Sequence, residues 1–157
     1  MLSANSVLSC IPMANCYVLC GIPASGKSTL AHQLAEQHNA IVHSYDDIPN
    51  AWGNRDEDGS FYRQWMDNIK NDLCSGNSVV CDSTALTSYN RKEILKEVSE
   101  IDCEKVLIVK VVPVEVCVQR NKGRFREVPE YQIELSAGLL EAPTKDEGWD
   151  KILVYRD

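Results

Sequence analysis

At 157 residues, with 44% hydrophobic and 25% charged side chains, the chain has the length and composition of one ordinary globular domain with a substantial core. Its net charge of −7, from 16 basic and 23 acidic residues, argues against broad, non-specific nucleic-acid binding, which needs a basic face, while leaving room for a local basic groove. No apolar run is long enough to span a membrane, and Met1 to Pro12 lacks the Lys or Arg of a signal peptide, so residues 1–14 read as an extension before one domain over 15–157.

Tyr17-Val18-Leu19-Cys20 is an apolar run of strand length. It leads directly into Gly21-Ile22-Pro23-Ala24-Ser25-Gly26-Lys27-Ser28, followed by Thr29, which fits G-x-x-x-x-G-K-[ST]. Each part of this stretch has a mechanical task. Gly21 and Gly26 let the backbone turn and approach a polyphosphate. The loop N–H groups converge on phosphate oxygens, Lys27 reaches the β- and γ-phosphates, and the Ser28 hydroxyl suits Mg²⁺. Leu30, Ala31, Leu34, Ala35 and His38 then recur at helical spacing, which completes the strand–loop–helix setting the motif requires.

Ala40-Ile41-Val42-His43 is the next strand, running into Ser44-Tyr45-Asp46-Asp47, and a polar loop covers 50–60. Phe61, Trp65, Ile69 and Leu73, with Met66 beside them, predict a helix that buries one face and ends near Gly76-Asn77. Ser78-Val79-Val80-Cys81-Asp82 is a short strand closed by an acid. Ile94, Leu95, Val98 and Ile101 mark the following helix face. Val106 to Val112 is the longest apolar strand, rich in β-branched residues as a central parallel strand should be. Helices over about 114–122 and 131–140 and a last strand at Ile152-Leu153-Val154-Tyr155 complete the order. Strands alternating with helices predict an α/β fold: a doubly wound, mostly parallel five-stranded sheet with helices on both faces.

The seven cysteines, Cys10, Cys16, Cys20, Cys74, Cys81, Cys103 and Cys117, form no C-x-x-C pair and no Cys/His cluster with zinc spacing. They read as small hydrophobes of a protein in a reducing cytoplasm. His32, His38 and His43 are scattered and read as structural or surface residues.

A phosphate-binding loop implies a nucleotide and leaves its fate open. A GTPase switch needs a D-x-x-G after a strand and an N-K-x-D. Asp56-Glu57-Asp58-Gly59 lies in a polar loop and Asn121-Lys122-Gly123-Arg124 lacks the final Asp, so that reading is disfavoured. A small kinase needs an acid for the acceptor hydroxyl, a metal-supporting acid and arginines for the moving phosphoryl group. Carboxyl ends of strands face the ligand crevice, so Asp46 is the candidate base, while Asp47 also suits a helix cap. Asp82 closes a hydrophobic strand, where it can support Mg²⁺ together with Ser28, and Ser83 and Thr84 can cap the next helix or line the site. Arg120, Lys122, Arg124 and Arg126 crowd seven positions of an acidic chain, the pattern of a lid over about 120–130 that closes on phosphates.

The ordered set resembles the P-loop kinases typified by the 5′-hydroxyl polynucleotide kinase domain of phage RNA-repair enzymes, a group that includes zeta toxins and the kinases of seryl-tRNA. It comprises Gly-x-Pro-x-Ser-Gly-Lys-Ser-Thr at 21–29, Asp46-Asp47, Val79 to Thr84 with Arg91, Arg120-Asn121-x-x-Arg124, Val128-Pro129-Glu130, Glu141-x-Pro143 and Glu147-Gly148-Trp149. It spans about residues 16 to 155. The resemblance implies ATP and Mg²⁺, with Gly21, Ile22, Pro23, Ala24, Ser25, Gly26, Lys27, Ser28 and Thr29 around the phosphates. It also implies Asp46 as the base and Arg120 and Arg124 as lid arginines. Two departures fall on the acceptor side: Pro49 stands where those kinases carry an arginine, and Asp82-Ser83-Thr84-Ala85 lacks their asparagine. The expected acceptor is an RNA or DNA 5′-hydroxyl end. The alternatives are a small-molecule or tRNA-linked hydroxyl, or a regulatory ATPase with no acceptor. No membrane and no obligate protein partner are expected.

Overall fold

The computed structural model describes residues 13–157; the expected extension before Met13 lies outside the described residues. In chain order the elements are β1 (Ala14–Cys20), α1 (Lys27–His38), β2 (Ile41–Ser44), α2 (Ser60–Cys74), β3 (Val79–Asp82), α3 (Ser88–Val98), β4 (Cys103–Val111), α4 (Val114–Asn121), α5 (Glu130–Leu139) and β5 (Lys151–Arg156), with single 3₁₀ turns at Tyr45–Asp47 and Lys145–Glu147. The five strands form one sheet in the order β2-β3-β1-β4-β5, and every pairing is parallel. The helix expected to reach Ile101 ends at Val98 instead, and β1 and β4 begin three residues earlier than their apolar runs suggest. No helix among the described residues is long and apolar enough to cross a membrane.

Strand alternation sorts the core into two faces. Cys16, Val18, Cys20, Val79, Cys81, Leu107 and Val109 pack against Trp65, Met66 and Ile69 of α2 and Ile94, Leu95 and Val98 of α3. Tyr17, Leu19, Val80, Val106 and Ile108 point the other way, onto Leu30, Ala31 and Leu34 of α1. The central strands are therefore apolar on both faces, as a parallel sheet covered by helices must be. Four of the cysteines, Cys16, Cys20, Cys81 and Cys103, are buried in these layers, and Cys74 is exposed. Cys16 and Cys81 approach to 3.9 Å between sulfurs, a packing contact between thiols.

A third cluster joins Ile22, Ala24, Leu86 and Val112 to Cys117 of α4 and Ile133 of α5, beyond the carboxyl end of the sheet. The buried Asn121 ends α4 and grips the segment that follows. Its Nδ2 donates to the Val128 carbonyl at 2.7 Å, and its Oδ1 accepts from the Val128 N–H at 3.0 Å. The segment bearing Lys122, Arg124 and Arg126 is thus a loop pinned at its base.

The Asp56-to-Gly59 stretch has a structural task. The Asp56 carboxylate accepts from the N–H groups of Phe61 and Tyr62, both at 3.0 Å, and satisfies the otherwise unpaired first turn of α2. The cap of α3 comes from Thr87, whose hydroxyl accepts from the Asn90 N–H at 3.1 Å, so Ser83 and Thr84 are left to the crevice.

Arg91 on α3 is fully buried. Its Nε and Nη2 form a two-pronged pair with Glu147, the shortest contact 2.8 Å, and its Nη1 donates to the carbonyls of Ala85 and Leu86 at 2.9 and 3.0 Å. Trp149 Nε1 donates to the same Glu147 carboxylate at 3.0 Å. Burial of the Glu147 carboxyl opposes its charge, but the Arg91 and Trp149 donors prevail and hold its pKa below the usual value. The group fixes the turn after β3, where Ala85 sits at a positive φ of 44°. Arg91→Ala strands a buried carboxylate and should cost on the order of 3–5 kcal/mol, read as a lower urea midpoint. A cost under about 1 kcal/mol would show that the pair does not organise this turn.

Candidate active site

The loop between β1 and α1 is shaped by close backbone approach. A Cβ at Gly21 would meet the Lys110 carbonyl oxygen at 3.0 Å and the Ser25 hydroxyl at 3.1 Å, and Gly26 sits at φ 91°. Ala24 also takes a positive φ, 64°. The Gly21 N–H donates to the Thr84 carbonyl at 3.0 Å, so the start of the loop is tied to the turn that Arg91 holds. The first-turn N–H groups of α1 have no carbonyl within the helix to receive them, and they aim a partial positive charge out of the loop. Lys27 lies buried over the loop with Nζ donating to the Ile22 carbonyl at 2.8 Å. Burial lowers its pKa to about 8, against the pull of Asp82.

Register brings the acids together. Ser44 of β2 pairs with Asp82 of β3, so the turn that follows Ser44 places Asp46 beside the end of β3. Asp46 opens onto the crevice. Its pKa is raised, first by desolvation from the crevice walls and then by the Asp82 carboxylate, with Arg126 and Lys27 opposing. Asp47 lines a smaller adjoining cleft and pairs with Arg126 at 2.9 Å. Of the two, Asp46 lines the larger crevice and has no ion-pair partner among the described residues.

Ser28 Oγ donates to Asp82 Oδ2 at 2.8 Å. Asp82 has no cationic side chain within ion-pair distance among the described residues. A hydroxyl and an unpaired carboxylate side by side are hard oxygen donors that fit Mg²⁺, which takes one or two protein oxygens and fills its octahedron with water and substrate phosphates. No cluster of three or more His, Cys, Asp or Glu residues that could enclose a metal occurs among the described residues.

The arginines divide. Arg120, in the last turn of α4, donates from Nη1 to the Ser25 carbonyl at 3.4 Å and from Nη2 to Asp157, which Lys110 also contacts. Arg124 lines the crevice beside the loop. Arg126 crosses to Asp47 and lies 5.7 Å from the centre of the Trp52 ring.

The crevice is a cavity of about 890 Å³, near the upper end of small-molecule sites. One side carries Gly26, Lys27, Ser28, Thr29, Arg120 and Arg124, while Ile22 and Ser25 lie behind the loop, buried. The other side has Tyr45, Asp46, Trp52, Tyr62, Trp65, Ser83, Tyr89, Asn90 and Glu93, from the β2 and β3 exits, α2 and α3. Sequence reasoning reads Trp65 as core. It is core, with Nε1 donating to the His43 carbonyl at 3.0 Å, and it also forms the floor of the cavity. Tyr62 and Glu93 escape a search for motifs because neither belongs to one. A faint signal is Tyr89 and Glu93 at i and i+4, which share a helix face.

A family model, AAA_33, described as an AAA domain, matches residues 17–143. No curated protein matches the sequence. Among solved structures, a gluconokinase from Sinorhizobium meliloti 1021 is 20% identical, covers 92% of this chain and 83% of its own, and superposes with a TM-score of 0.65. A chain of the Pnkp1/Rnl/Hen1 RNA repair complex is 21% identical over 82% of this chain and 44% of its own, with a TM-score of 0.70. The Mycobacterium tuberculosis APS kinase CysC in complex with AMPPNP and APS is 13% identical over 91% of this chain and 89% of its own, with a TM-score of 0.65. At these identities the likeness is one of fold, the α/β fold of P-loop kinases.

The depressed pKa of Lys27 makes a prediction. A bound polyphosphate stabilises the charged amine and raises that pKa, so nucleotide binding near pH 8.5 should take up protons and weaken as pH rises past about 8. Calorimetry in two buffers of different ionisation enthalpy reads the uptake. No uptake, with affinity flat from pH 7 to 9, would place Lys27 away from the phosphates.

Proposed function

The chain belongs to the AAA domain family of the matched model, and from that premise we propose that it is an ATP-dependent kinase that transfers the γ-phosphate to a hydroxyl group. The supporting observation is that Lys27, Ser28, Asp82 and Asp46 open onto one crevice, with cations on one side and a carboxylate of raised pKa on the other.

The loop N–H groups and Lys27 hold the β- and γ-phosphates, and the wedge of α1 adds its N-terminal dipole. Arg120 and Arg124 neutralise charge that spreads over the transferred group. Ser28 and Asp82 would hold Mg²⁺, which would supply further charge neutralisation at the phosphates. The acceptor oxygen attacks the γ-phosphorus while its proton passes to an Asp46 oxygen. The bond from that phosphorus to the β–γ bridging oxygen breaks, and ADP leaves with the bonding pair. Arg120 must first exchange Asp157 for phosphate, a local rearrangement of one side chain.

Two acceptors fit this chemistry. A 5′-hydroxyl polynucleotide end is favoured by the sequence resemblance and by the RNA-repair complex among the structural neighbours. A small-molecule hydroxyl is favoured by the uncharged and acidic wall opposite the phosphate loop.

Label from [γ-³²P]ATP should pass to a pool of hydroxyl compounds containing sugars, nucleosides and 5′-hydroxyl oligonucleotides. Asp46→Asn should keep ATP affinity yet lower transfer by about 10²-fold or more, the scale of a general base. The wild-type rate should fall as pH drops through the raised pKa of Asp46, because the base works only when ionised. Unchanged transfer in Asp46→Asn would dismiss the base. Release of ADP that ignores the pool would mark an ATPase without acceptor.

A further inference from the structure

The two sides of the crevice differ in charge in a way that bears on the acceptor. Every Lys or Arg that lines the cavity, Lys27, Arg120 and Arg124, belongs to the phosphate loop or to the segment from the end of α4. The wall beyond β2 and β3 has none, and it carries the carboxylates of Asp46 and Glu93. On the other side of Asp46, Arg124 and Arg126 line a smaller adjoining cleft; of these, Arg126 is already paired with Asp47 at 2.9 Å and set against Trp52. The nearby Arg63 and Lys70 of α2 are engaged by Glu97 at 2.8 and 3.3 Å, outside the cavity lining. A polynucleotide end brings phosphates that need Lys or Arg contacts to replace their counterions. A phosphate or carboxylate on this wall would instead face Asp46 and Glu93 in a partly dry cleft, where like charges repel strongly.

The same wall suits a flat apolar body. Tyr45, Trp52, Tyr62, Trp65 and Tyr89 line it, and Tyr45 and Tyr62 flank Trp65 with ring centres at 6.0 and 5.9 Å. It also holds two unsatisfied hydroxyls. Tyr62 OH and Ser83 Oγ are buried with no hydrogen-bond partner among the described residues. Buried polar groups normally have partners, and an unpaired one raises the free energy of the unliganded protein. A bound molecule with polar atoms on a planar frame relieves both once side-chain rotation turns these buried hydroxyls into the cavity.

Resting on the kinase reading above, we propose that the acceptor is a small alcohol without negative charge that carries a planar aromatic group, with Tyr62, Ser83 and Glu93 as its specificity-determining contacts. Its hydroxyl oxygen attacks the γ-phosphorus, its proton goes to Asp46, and ADP departs. The bland account of the aromatic wall is that it is only the outer rind of the core. Tyr62 separates the two. If its hydroxyl is merely buried, Tyr62→Phe relieves an unpaired group and changes nothing else. If it binds the acceptor, the same variant keeps or raises its Tm while the acceptor KM climbs about tenfold, the worth of one hydrogen bond, and the KM for ATP does not follow.

The test uses the full chain, Mg²⁺ and [γ-³²P]ATP with three separate pools. The first holds neutral nucleosides, aryl glycosides and aryl amino alcohols. The second holds anionic alcohols: gluconate, sugar phosphates, nucleoside 3′-monophosphates and 5′-hydroxyl oligonucleotides. The third holds neutral sugars without an aromatic ring. The expected result is transfer to the first pool at least about tenfold faster than to the others, followed by the Tyr62→Phe split on the reacting compound. Faster transfer to the second or third pool overturns the proposal, as does no transfer to the first pool or an acceptor KM that Tyr62→Phe leaves unchanged. ATP binding that Lys27→Ala abolishes, measured alongside, tells the two failures apart. If it is intact, only the acceptor class is wrong. If ATP does not bind, the kinase reading itself falls.

Discussion

The hydrogen bond from Ser28 to Asp82, 2.8 Å long, is the constraint on which the crevice depends. It joins the first turn of α1 to the end of β3, so the phosphate loop and the acidic strand end cannot drift apart. It exists because the strands are parallel and in register: β1 and β3 lie side by side, and their chains leave the sheet at the same edge. The next strand, β2, ends level with β3, which sets Asp46 beside Asp82. A second anchor works from below. Arg91 and Glu147 hold the turn after β3, and that turn accepts the Gly21 N–H, so both arms of the site rest on one buried ion pair. Such a pair contributes less through its Coulomb energy than through the cost of breaking it.

Much of this was legible in the chain itself. The phosphate loop reads at once because Gly21 and Gly26 are required by sterics that no other residue meets, and Lys27 and Ser28 follow at fixed spacing. The sheet reads well because its strands are short apolar runs set off by turns, and the helices of α1, α2 and α3 because their apolar faces repeat at helical spacing. Strand ends read less well: β1 begins at Ala14 and β4 at Cys103, where backbone pairing continues past the apolar run.

The wall proposed for the acceptor was the illegible part, for a physical reason. It is assembled from Tyr45, Trp52, Tyr62, Ser83, Tyr89 and Glu93, of which only Tyr89 and Glu93 share an element, α3, and the rest meet only when the sheet is built. Apart from the i,i+4 pair Tyr89 and Glu93, no spacing rule links them. The pairing of Arg126 with Asp47, which separates the roles of Asp46 and Asp47, is likewise a contact across 79 positions. The same holds for Asp157, which meets Lys110 and Arg120 and thereby keeps a candidate lid arginine occupied. Motif reasoning finds the donor half of such a site because a phosphate always looks the same. The acceptor half follows the shape and charge of its own ligand.

The central claim is that donor and acceptor chemistry meet between Lys27 and Asp46. A crystal structure with AMPPNP and Mg²⁺ tests it most directly. The account predicts the γ-phosphate within hydrogen-bond distance of Lys27 Nζ, the metal on the oxygens of Ser28 and Asp82, and the Asp46 carboxylate facing the γ-phosphorus from the side opposite the bridging oxygen. A nucleotide whose γ-phosphate points away from Asp46, with another carboxylate or bare solvent in line, would contradict it.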